Sequence, residues 1–206
     1  SRVSVPSFPE GATKGETLSY LADRISEVLT PEVKRIGIGV PSLVDSAKGI
    51  VYGAMNIPSW DEVHLKEHLE DRLGLPVSID NDANCFALGA NALCGCPEVT
   101  VGITLGTGLG IGIVSGGRLL RGRNCGAGEL CSVPYNGADY ESFCSKKFFD
   151  RSGRGSREAV AAAEAGDPRA LQFFAEFGTH LGNLLTLVLY AYDPGCIVFG
   201  GGISHT

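Results

Sequence analysis

Two apolar runs joined by a short glycine-rich turn restrict the fold of this chain most strongly. Residues 99–105 and 111–114 have the pattern of strands, and Leu105-Gly106-Thr107-Gly108-Leu109-Gly110 joins them. A connection this short cannot hold a crossover helix, so it predicts an antiparallel hairpin. The glycines at 106, 108 and 110 would let backbone N–H groups approach a phosphate, with the Thr107 hydroxyl as a further donor. An ordinary hairpin would use the same glycines only to reach positive φ.

A second motif places an amide and a carboxylate at the end of another strand. Residues 76–79 read as a strand, Asn81-Asp82-Ala83-Asn84 follows, and residues 83–93 read as a helix of small residues. Side chains at the carboxyl ends of strands in an α/β sheet face the usual ligand crevice. An aspartate there can accept the proton of a hydroxyl that attacks phosphorus. The alternative is that Asn81 or Asp82 only caps the helix, although one cap needs only one of them.

The rest of the chain continues an alternation of strands and helices, which predicts an α/β fold. A change of pattern near residues 94–98 divides it into a smaller N-terminal α/β lobe, 1–96, and a larger C-terminal α/β lobe, 97–206. The further predicted elements are strands over 35–41 and 196–199, a helix over 15–29 closed by Pro31, a helix capped by Asp61 and ended by Gly74, a helix over 157–165, and a long helix from Pro168 to about Tyr192 capped by Asp167.

Composition argues against several classes of partner. The chain of 206 residues is 44% hydrophobic and 19% charged, and its net charge of −6 disfavours nucleic acid and anionic membranes as partners. The longest apolar stretch, residues 184–191, is too short to cross a bilayer. Seven cysteines, an odd count, indicate free thiols in a reducing, cytoplasmic setting. Cys94-Gly95-Cys96 has no second pair at zinc-ribbon spacing, so we predict no metal site there.

A competing motif suggests a different class of enzyme. His64-Leu65-Lys66-Glu67-His68 fits the H-x-x-E-H pattern of a zinc peptidase on a predicted helix. However, the apolar face of that helix directs Glu67 and much of the histidine pair toward solvent, which favours an exposed, charged surface.

Three further features could contribute to a site. Glu129 follows Gly126-Ala127-Gly128, and Glu141 follows Asp139-Tyr140. Loop carboxylates can accept paired hydrogen bonds from vicinal sugar hydroxyls, although loop glutamates are more often simply solvated. The third feature is the glycine turn Gly200-Gly201-Gly202 after the last strand, and it is weak on its own because strands often end in glycine.

Taken together, in their order and spacing, these segments resemble the ROK family of bacterial sugar kinases and sugar-responsive repressors. The resemblance extends over nearly the whole chain. It is carried by Ile38-Gly39-Val40-Pro41 with Val44-Asp45 and Gly49, Asn56 before Trp60, Gly74-Leu75-Pro76-Val77, Asn81-Asp82-Ala83-Asn84, the 105–110 turn, Leu119 with Gly122, Ala127-Gly128-Glu129, Glu141 with Ser145, and Gly200-Gly201-Gly202-Ile203-Ser204.

The resemblance implies a two-lobed fold shared with hexokinase and actin, with ribonuclease-H-like lobes and a sugar and ATP in the cleft. It implies that the protein is a cytoplasmic, glucokinase-like enzyme of carbohydrate metabolism that phosphorylates a sugar hydroxyl with ATP and Mg²⁺ and forms a homo-oligomer, a dimer or a tetramer. The implied roles are Asp82 as general base and sugar ligand, Asn81, Glu129 and Glu141 as sugar ligands, Gly106, Thr107, Gly108 and Gly110 facing the γ-phosphate, and Gly200, Gly201 and Gly202 near the adenosine. The alternative is the non-catalytic sugar-sensing domain of a ROK-type repressor, against which the retained Asp82 counts.

The chain departs from the family pattern where a histidine and a zinc-binding cysteine cluster are usual. Ser132 stands in the place of the histidine, and residues 134–140 replace the cluster. Cys131 and Cys144 lack the family spacing. We therefore expect no zinc and an altered sugar contact. Ser42 also replaces a common glycine.

The resemblance also predicts an incomplete fold. Family kinases begin with a strand and an Asp-x-Gly-Gly-Thr phosphate loop, which is absent here, and they continue with a helix and a strand beyond the final glycine turn. We expect this 206-residue chain alone to have little or no kinase activity.

Overall fold

The structure is a computed structural model that describes residues 4–6, 8, 11–54, 57–95, 98–151, 153 and 155–205. The chain divides into two compact units, residues 1–82 and 83–206. The lobes proposed as 1–96 and 97–206 stay a prediction. Asn56 of the family pattern and Cys96 of the C-x-C motif lie outside the described residues.

The first unit combines short strands with two helices. Among its described residues, β1 pairs in parallel with β5, and Val40 lies opposite Asn81. β2, β3 and β4 form an antiparallel sheet. The elements are α1 (Lys14–Ser26), β1 (Ile36–Val40), β2 (Leu43–Asp45), β3 (Ile50–Tyr52), β4 (Glu62–Val63), α2 (Leu65–Leu73) and β5 (Val77–Asn81).

The core of the first unit explains where its helices lie. A capping box of Thr13 and Glu16 begins α1, and the helix buries Leu18 and Ala22. The buried Trp60 donates its indole N–H to the Thr17 hydroxyl at 2.7 Å. This bond fixes α1 against the loop between β3 and β4, which contains Trp60. Burying a donor with a partner avoids the cost of an unpaired polar group.

Two helix boundaries differ from the sequence expectation. The predicted end of α1 at residue 29 is wrong, because the helix ends at Ser26 and Val28 is exposed rather than packed in the core. The predicted cap at Asp61 is also wrong, because Glu62–Val63 pairs with β3 and α2 begins only at Leu65. The predicted end at Gly74 is confirmed, and this glycine adopts the left-handed conformation with φ of 66°.

The second unit is built around a larger sheet. Its strand order among the described residues is β11-β6-β7-β8, with β11 parallel to β6 and β6 antiparallel to β7. The predicted hairpin is therefore confirmed. The elements are α3 (Asp82–Cys94, whose first residue belongs to the first unit), β6 (Val99–Leu105), β7 (Leu109–Ser115), β8 (Arg118–Leu119), β9 (Pro134–Tyr135), β10 (Ala138–Asp139), α4 (Tyr140–Phe143), α5 (Lys146–Arg151), α6 (Ser156–Glu164), α7 (Pro168–Tyr192) and β11 (Cys196–Gly200).

Small residues allow α3 to lie directly on the hairpin. A Cβ added at Gly102 or Gly112 would come within 2.8 Å of Ala87 Cβ, and one at Gly110 would come within 2.7 Å of Ala83 Cβ. Glycine in the strands and alanine on the helix therefore bring the two backbones into contact, which larger side chains would prevent.

The long helix α7 packs on the apolar side chains of β6 and β7. Asp167 caps it through a bond from the Arg169 N–H, Pro168 is its first residue, and Asp193 ends it in the left-handed conformation. These bounds confirm the sequence prediction. Phe177, Leu184 and Val188 of α7 are buried in the same cluster as the strand residues Val101 to Ile113. Over the described residues, no helix has the length and apolar content to cross a bilayer.

Candidate functional site

Asn81 and Asp82, the first two residues of the polar motif at the end of β5, belong to the first unit. The Asn81 side-chain amide donates to the carbonyl oxygen of Ser42 at 3.1 Å, and its backbone N–H donates to the buried Asp80 carboxylate at 2.9 Å. Asp82 is the first residue of α3, and its side chain is exposed. The side chain of Asn81 is thus fixed by the backbone, while the Asp82 carboxylate is accessible to a substrate.

Two backbone N–H groups of the glycine turn between β6 and β7 already have hydrogen-bond acceptors within the protein. Gly106 N–H donates to the carbonyl of Gly108 at 3.0 Å, and Leu109 N–H donates to Glu141 Oε2 at 3.2 Å. Thr107 is exposed at the tip. A Cβ at Gly106 would meet no atom within 4 Å, whereas one at Gly108 would lie 2.7 Å from Glu141 Oε2. Packing therefore accounts for Gly108 and Gly110, and it leaves open space above Gly106.

In the second glycine turn, too, packing explains some of the glycines but not all of them. A Cβ at Gly200 would lie 2.5 Å from the Phe86 ring, and one at Gly201 would lie 2.3 Å from the carbonyl oxygen of Leu105. Close packing against β6 and α3 thus requires both glycines. Gly202 has nothing within 4 Å of such a Cβ, so packing does not explain that glycine.

The two predicted sugar carboxylates of the second unit lie near one thiol. Cys131 Sγ lies 3.5 Å from Glu129 Oε2 and 3.7 Å from the Ser132 hydroxyl. Burial raises the pKa of Cys131 to about 11, and the negative charges of Glu129 and Glu141 act in the same direction. Cys131 thus contacts Glu129 and Ser132, and Glu141 is close enough for its charge to act on the thiol; we refer to these four residues as one polar cluster.

Glu141 connects this cluster to the glycine turn. One carboxylate oxygen accepts the Leu109 N–H, and the other accepts a hydrogen bond from the Lys147 ammonium. That bond to Glu141 is the main cause of a raised Lys147 pKa. The structure thus brings together two predicted parts of the site, the turn and Glu141. Asn81 and Asp82 belong to the other unit, and their membership of the same site stays a prediction.

Lys147 is the residue of this cluster that sequence reasoning missed. The available signal was the pair Lys146-Lys147, which lies five and six residues after Glu141 and directly after the buried Ser145. A lysine at that spacing can reach back over a short helix to the carboxylate, but a charged pair is also typical of any exposed helix.

The segment in the place of the zinc cluster is arranged by aromatic rings. Tyr135 of β9 stacks on Tyr140 at 4.3 Å between ring centroids, and its hydroxyl lies 2.9 Å from Nδ1 of the buried His180. Cys144 is fully buried, and burial raises its pKa to about 12. Residues 134–140 contain no cysteine or histidine, so this segment does not offer the donors of a cysteine-rich zinc site. Within the part of the chain that the structure describes, no three His, Cys, Asp or Glu residues form a metal-binding group.

The competing H-x-x-E-H motif does not lie on one helix as predicted. His64 precedes α2 as its N-cap residue, and its ring is exposed. Its Nδ1 lies 3.5 Å from the Glu67 carboxylate, which would act as the base in a zinc peptidase. His64 and Glu67 therefore form an exposed contact at the start of α2.

Comparison with known proteins decides the family. A family model described as the ROK family matches residues 11–206. This chain belongs to the ROK family. The glucokinase of Halalkalibacterium halodurans is 32% identical over 206 aligned residues, which cover 82% of this chain and 61% of the relative. The chain thus spans less than two thirds of that glucokinase.

Solved structures of ROK proteins support the same family assignment. The ROK hexokinase from Thermus thermophilus aligns with a TM-score of 0.79 at 30% identity, covering 99% of this chain and 74% of that one. The ROK family glucokinase from Streptomyces griseus, in complex with glucose and AMPPNP, aligns with a TM-score of 0.77 at 29% identity, covering 94% and 73%. The predicted α/β fold of the actin-like ATPase and hexokinase type is confirmed.

Proposed function

We propose that this ROK protein is an ATP-dependent sugar kinase. The observation that supports this most strongly is the contact of Glu141 with the glycine turn, since it joins an expected sugar ligand to the expected phosphate loop. The similar proteins named glucokinase and hexokinase, one of them in complex with glucose and AMPPNP, support the same activity.

The proposed roles follow from the chemistry of each group. Asp82, exposed at the start of α3, accepts the proton of the attacking sugar hydroxyl. Asn81, Glu129 and Glu141 form hydrogen bonds with other sugar hydroxyls, which fixes the acceptor for attack. Gly106 and Gly202, above which packing leaves space, allow nucleotide phosphates or adenosine to approach the backbone. Mg²⁺ bound with ATP would offset the charge of the phosphates.

The test measures ADP formation across a panel of sugars, using the complete gene product that carries this chain. Asp82→Asn removes the base but retains the size and polarity of the side chain. We expect kcat to fall about 10²- to 10⁴-fold, the usual contribution of a general base, while sugar binding is retained. Asp71→Asn, an exposed aspartate on α2, is the matched control and should leave kcat unchanged.

Two results would count against the proposal. Turnover by Asp82→Asn equal to that of the unsubstituted protein would exclude Asp82 as the base. Tight sugar binding without ADP formation in the unsubstituted protein would instead favour the sugar-sensing domain of a repressor.

A further inference from the structure

Lys147 contacts Glu141, one of the carboxylates of the proposed sugar site. Its ammonium donates to Glu141 Oε1, while Glu141 Oε2 accepts the Leu109 N–H of the glycine turn at 3.2 Å. The two oxygens of one carboxylate therefore have different partners, a side chain on α5 and the backbone of the turn. Because both oxygens belong to one planar group, a bond to one oxygen limits the positions that the other can take.

The backbone around this pair is also fixed. The Ser145 hydroxyl, which is fully buried, donates to the carbonyl of Glu141 at 2.6 Å and accepts the Lys147 N–H at 3.2 Å. Ser145 thus sets the spacing between the two charged residues. Glu141 is mostly covered, with 19% of its side chain exposed, while Lys147 is 52% exposed. The charged head of Lys147 remains solvated as it covers the carboxylate.

The neighbouring charges favour this arrangement. Asp139 and Glu141 both attract the Lys147 ammonium, and the hydrogen bond to Glu141 is the largest cause of its raised pKa. Cys131 nearby remains a neutral thiol, because its pKa is also raised. Lys146, the preceding residue, forms its own pair with Asp150 at 2.6 Å. The side chains of the two adjacent lysines therefore have different partners, and of the two it is the Lys147 side chain that contacts Glu141. The backbone N–H of Lys146 donates to the carbonyl of Gly106 at 2.8 Å, a contact that a side-chain substitution at Lys146 retains.

We propose that Lys147 is a positioning residue that keeps the Glu141 carboxylate on the Leu109 N–H, and that it thereby prearranges the sugar site and the phosphate turn together. The inference rests on the proposed kinase function. It involves two states of the β6–β7 turn: the state seen in the structure, in which Glu141 accepts the Leu109 N–H, and a proposed second state in which the carboxylate is released. Sugar and nucleotide both bind the first state better, since each needs its part of the site in place.

A measurable consequence follows from this equilibrium. With Lys147 present, the held state dominates and neither ligand has to select it. Without Lys147, each ligand alone must shift the population, so its apparent Kd rises by the inverse of the held fraction. A first bound ligand removes that penalty for the second. Loss of Lys147 is therefore expected to create positive cooperativity between sugar and nucleotide.

The experiment compares Lys147→Met with Lys146→Met in the complete gene product. Titration calorimetry gives the Kd for AMPPNP and for the sugar that the panel selects, each with and without the other ligand. In Lys147→Met we expect both single-ligand Kd values to rise about two- to five-fold, as for an exposed ion pair. They should return toward the original values when the other ligand saturates the protein. Lys146→Met should show neither change, and Lys147→Arg should restore the charge and both affinities.

The outcomes separate the inference from the function on which it rests. If the unsubstituted protein phosphorylates a sugar but Lys147→Met behaves like Lys146→Met, the inference is wrong and the kinase function stands. A Kd change for the sugar alone, unaffected by AMPPNP, would likewise exclude the coupling. If the unsubstituted protein forms no ADP with any sugar, the kinase function and the inference fail together. Thermal unfolding shows whether each variant is folded at the temperature of the titration. If Lys147→Met is not, Lys147→Gln takes its place.

Discussion

Two segments of the second unit meet at Glu141, and they are shaped in opposite ways. The β6–β7 hairpin is shaped by missing side chains, because its glycines let α3 lie against the strand backbone. The anchor segment, residues 130–145, is shaped by side chains that fill space, with Tyr135 stacked on Tyr140 and hydrogen-bonded to His180. A Cβ added at Gly112 of the hairpin meets backbone atoms of α3, whereas a group altered in the anchor segment meets rings and side chains that can adjust.

The largest effect is expected where the hairpin contacts the helix. The added Cβ of Gly112→Ala would lie 2.7 Å from the carbonyl oxygen of Ala83 and 3.0 Å from the Cα of Asn84. Because backbone atoms of α3 cannot move without shifting the helix, we expect the free energy of unfolding to fall by about 3 kcal/mol. Thermal unfolding of the variant should show Tm lowered by about 6–12 °C.

Gly106→Ala is the matched control from the same hairpin. Its Cβ would meet nothing within 4 Å, so its stability should change by less than about 0.5 kcal/mol. Equal stability losses in the two variants would show that the hairpin is not constrained by its contact with α3, and the contrast with the anchor segment would disappear.

The anchor segment is expected to respond more mildly. Asn183 donates to the Tyr135 hydroxyl at 3.1 Å, and this hydroxyl in turn lies 2.9 Å from His180 Nδ1. Tyr135→Phe retains the ring stack but leaves the buried imidazole without this partner, which should destabilise the fold by about 1–2 kcal/mol. Tyr190→Phe, at a ring that is 89% exposed on α7, is the control and should leave Tm unchanged. A loss as large as that of Gly112→Ala would contradict the difference between the segments.

The hairpin and the long helix could be predicted from sequence because local chemistry decides them. A short glycine turn between two apolar runs allows only an antiparallel pair, and Asp167-Pro168 marks the start of α7 unambiguously. Gly74 ends α2 for an equally local reason, since it adopts the left-handed conformation after the helix.

Other elements depend on partners that are distant in the sequence. Residues 62–63 read as the first turn of a helix, but pairing with β3 draws them into a sheet. The role of Lys147 depends on the backbone of a turn nearly forty residues earlier, and no pattern around position 147 reveals that contact. Tertiary contacts thus decided the elements and site residues that local patterns could not predict.

The smallest expected effect is that of Glu129→Gln on the thiol beside both carboxylates, and it is measured against the reactivity of that thiol in the unsubstituted protein. Burial is the main reason that the Cys131 pKa lies at about 11, so at pH 8 only about 0.1% of this thiol is the reactive thiolate. Iodoacetamide should therefore modify Cys131 about 100-fold more slowly than an exposed cysteine with an ordinary pKa of about 8.5–9. Peptide mass spectrometry at successive times after addition of the reagent gives the rate for each cysteine.

Glu129→Gln then tests whether the carboxylate itself acts on the thiol. Glu129 raises the Cys131 pKa both as a negative charge and as a hydrogen-bond acceptor that favours the protonated thiol. Removing the charge therefore lowers the pKa and enlarges the thiolate fraction at fixed pH, so alkylation should become about two- to five-fold faster. Glu158→Gln, on the exposed face of α6, should leave the rate unchanged. A rate that does not respond to Glu129→Gln would mean that burial alone protects the thiol, and that Glu129 lies too far from Cys131 to form one cluster with Glu141.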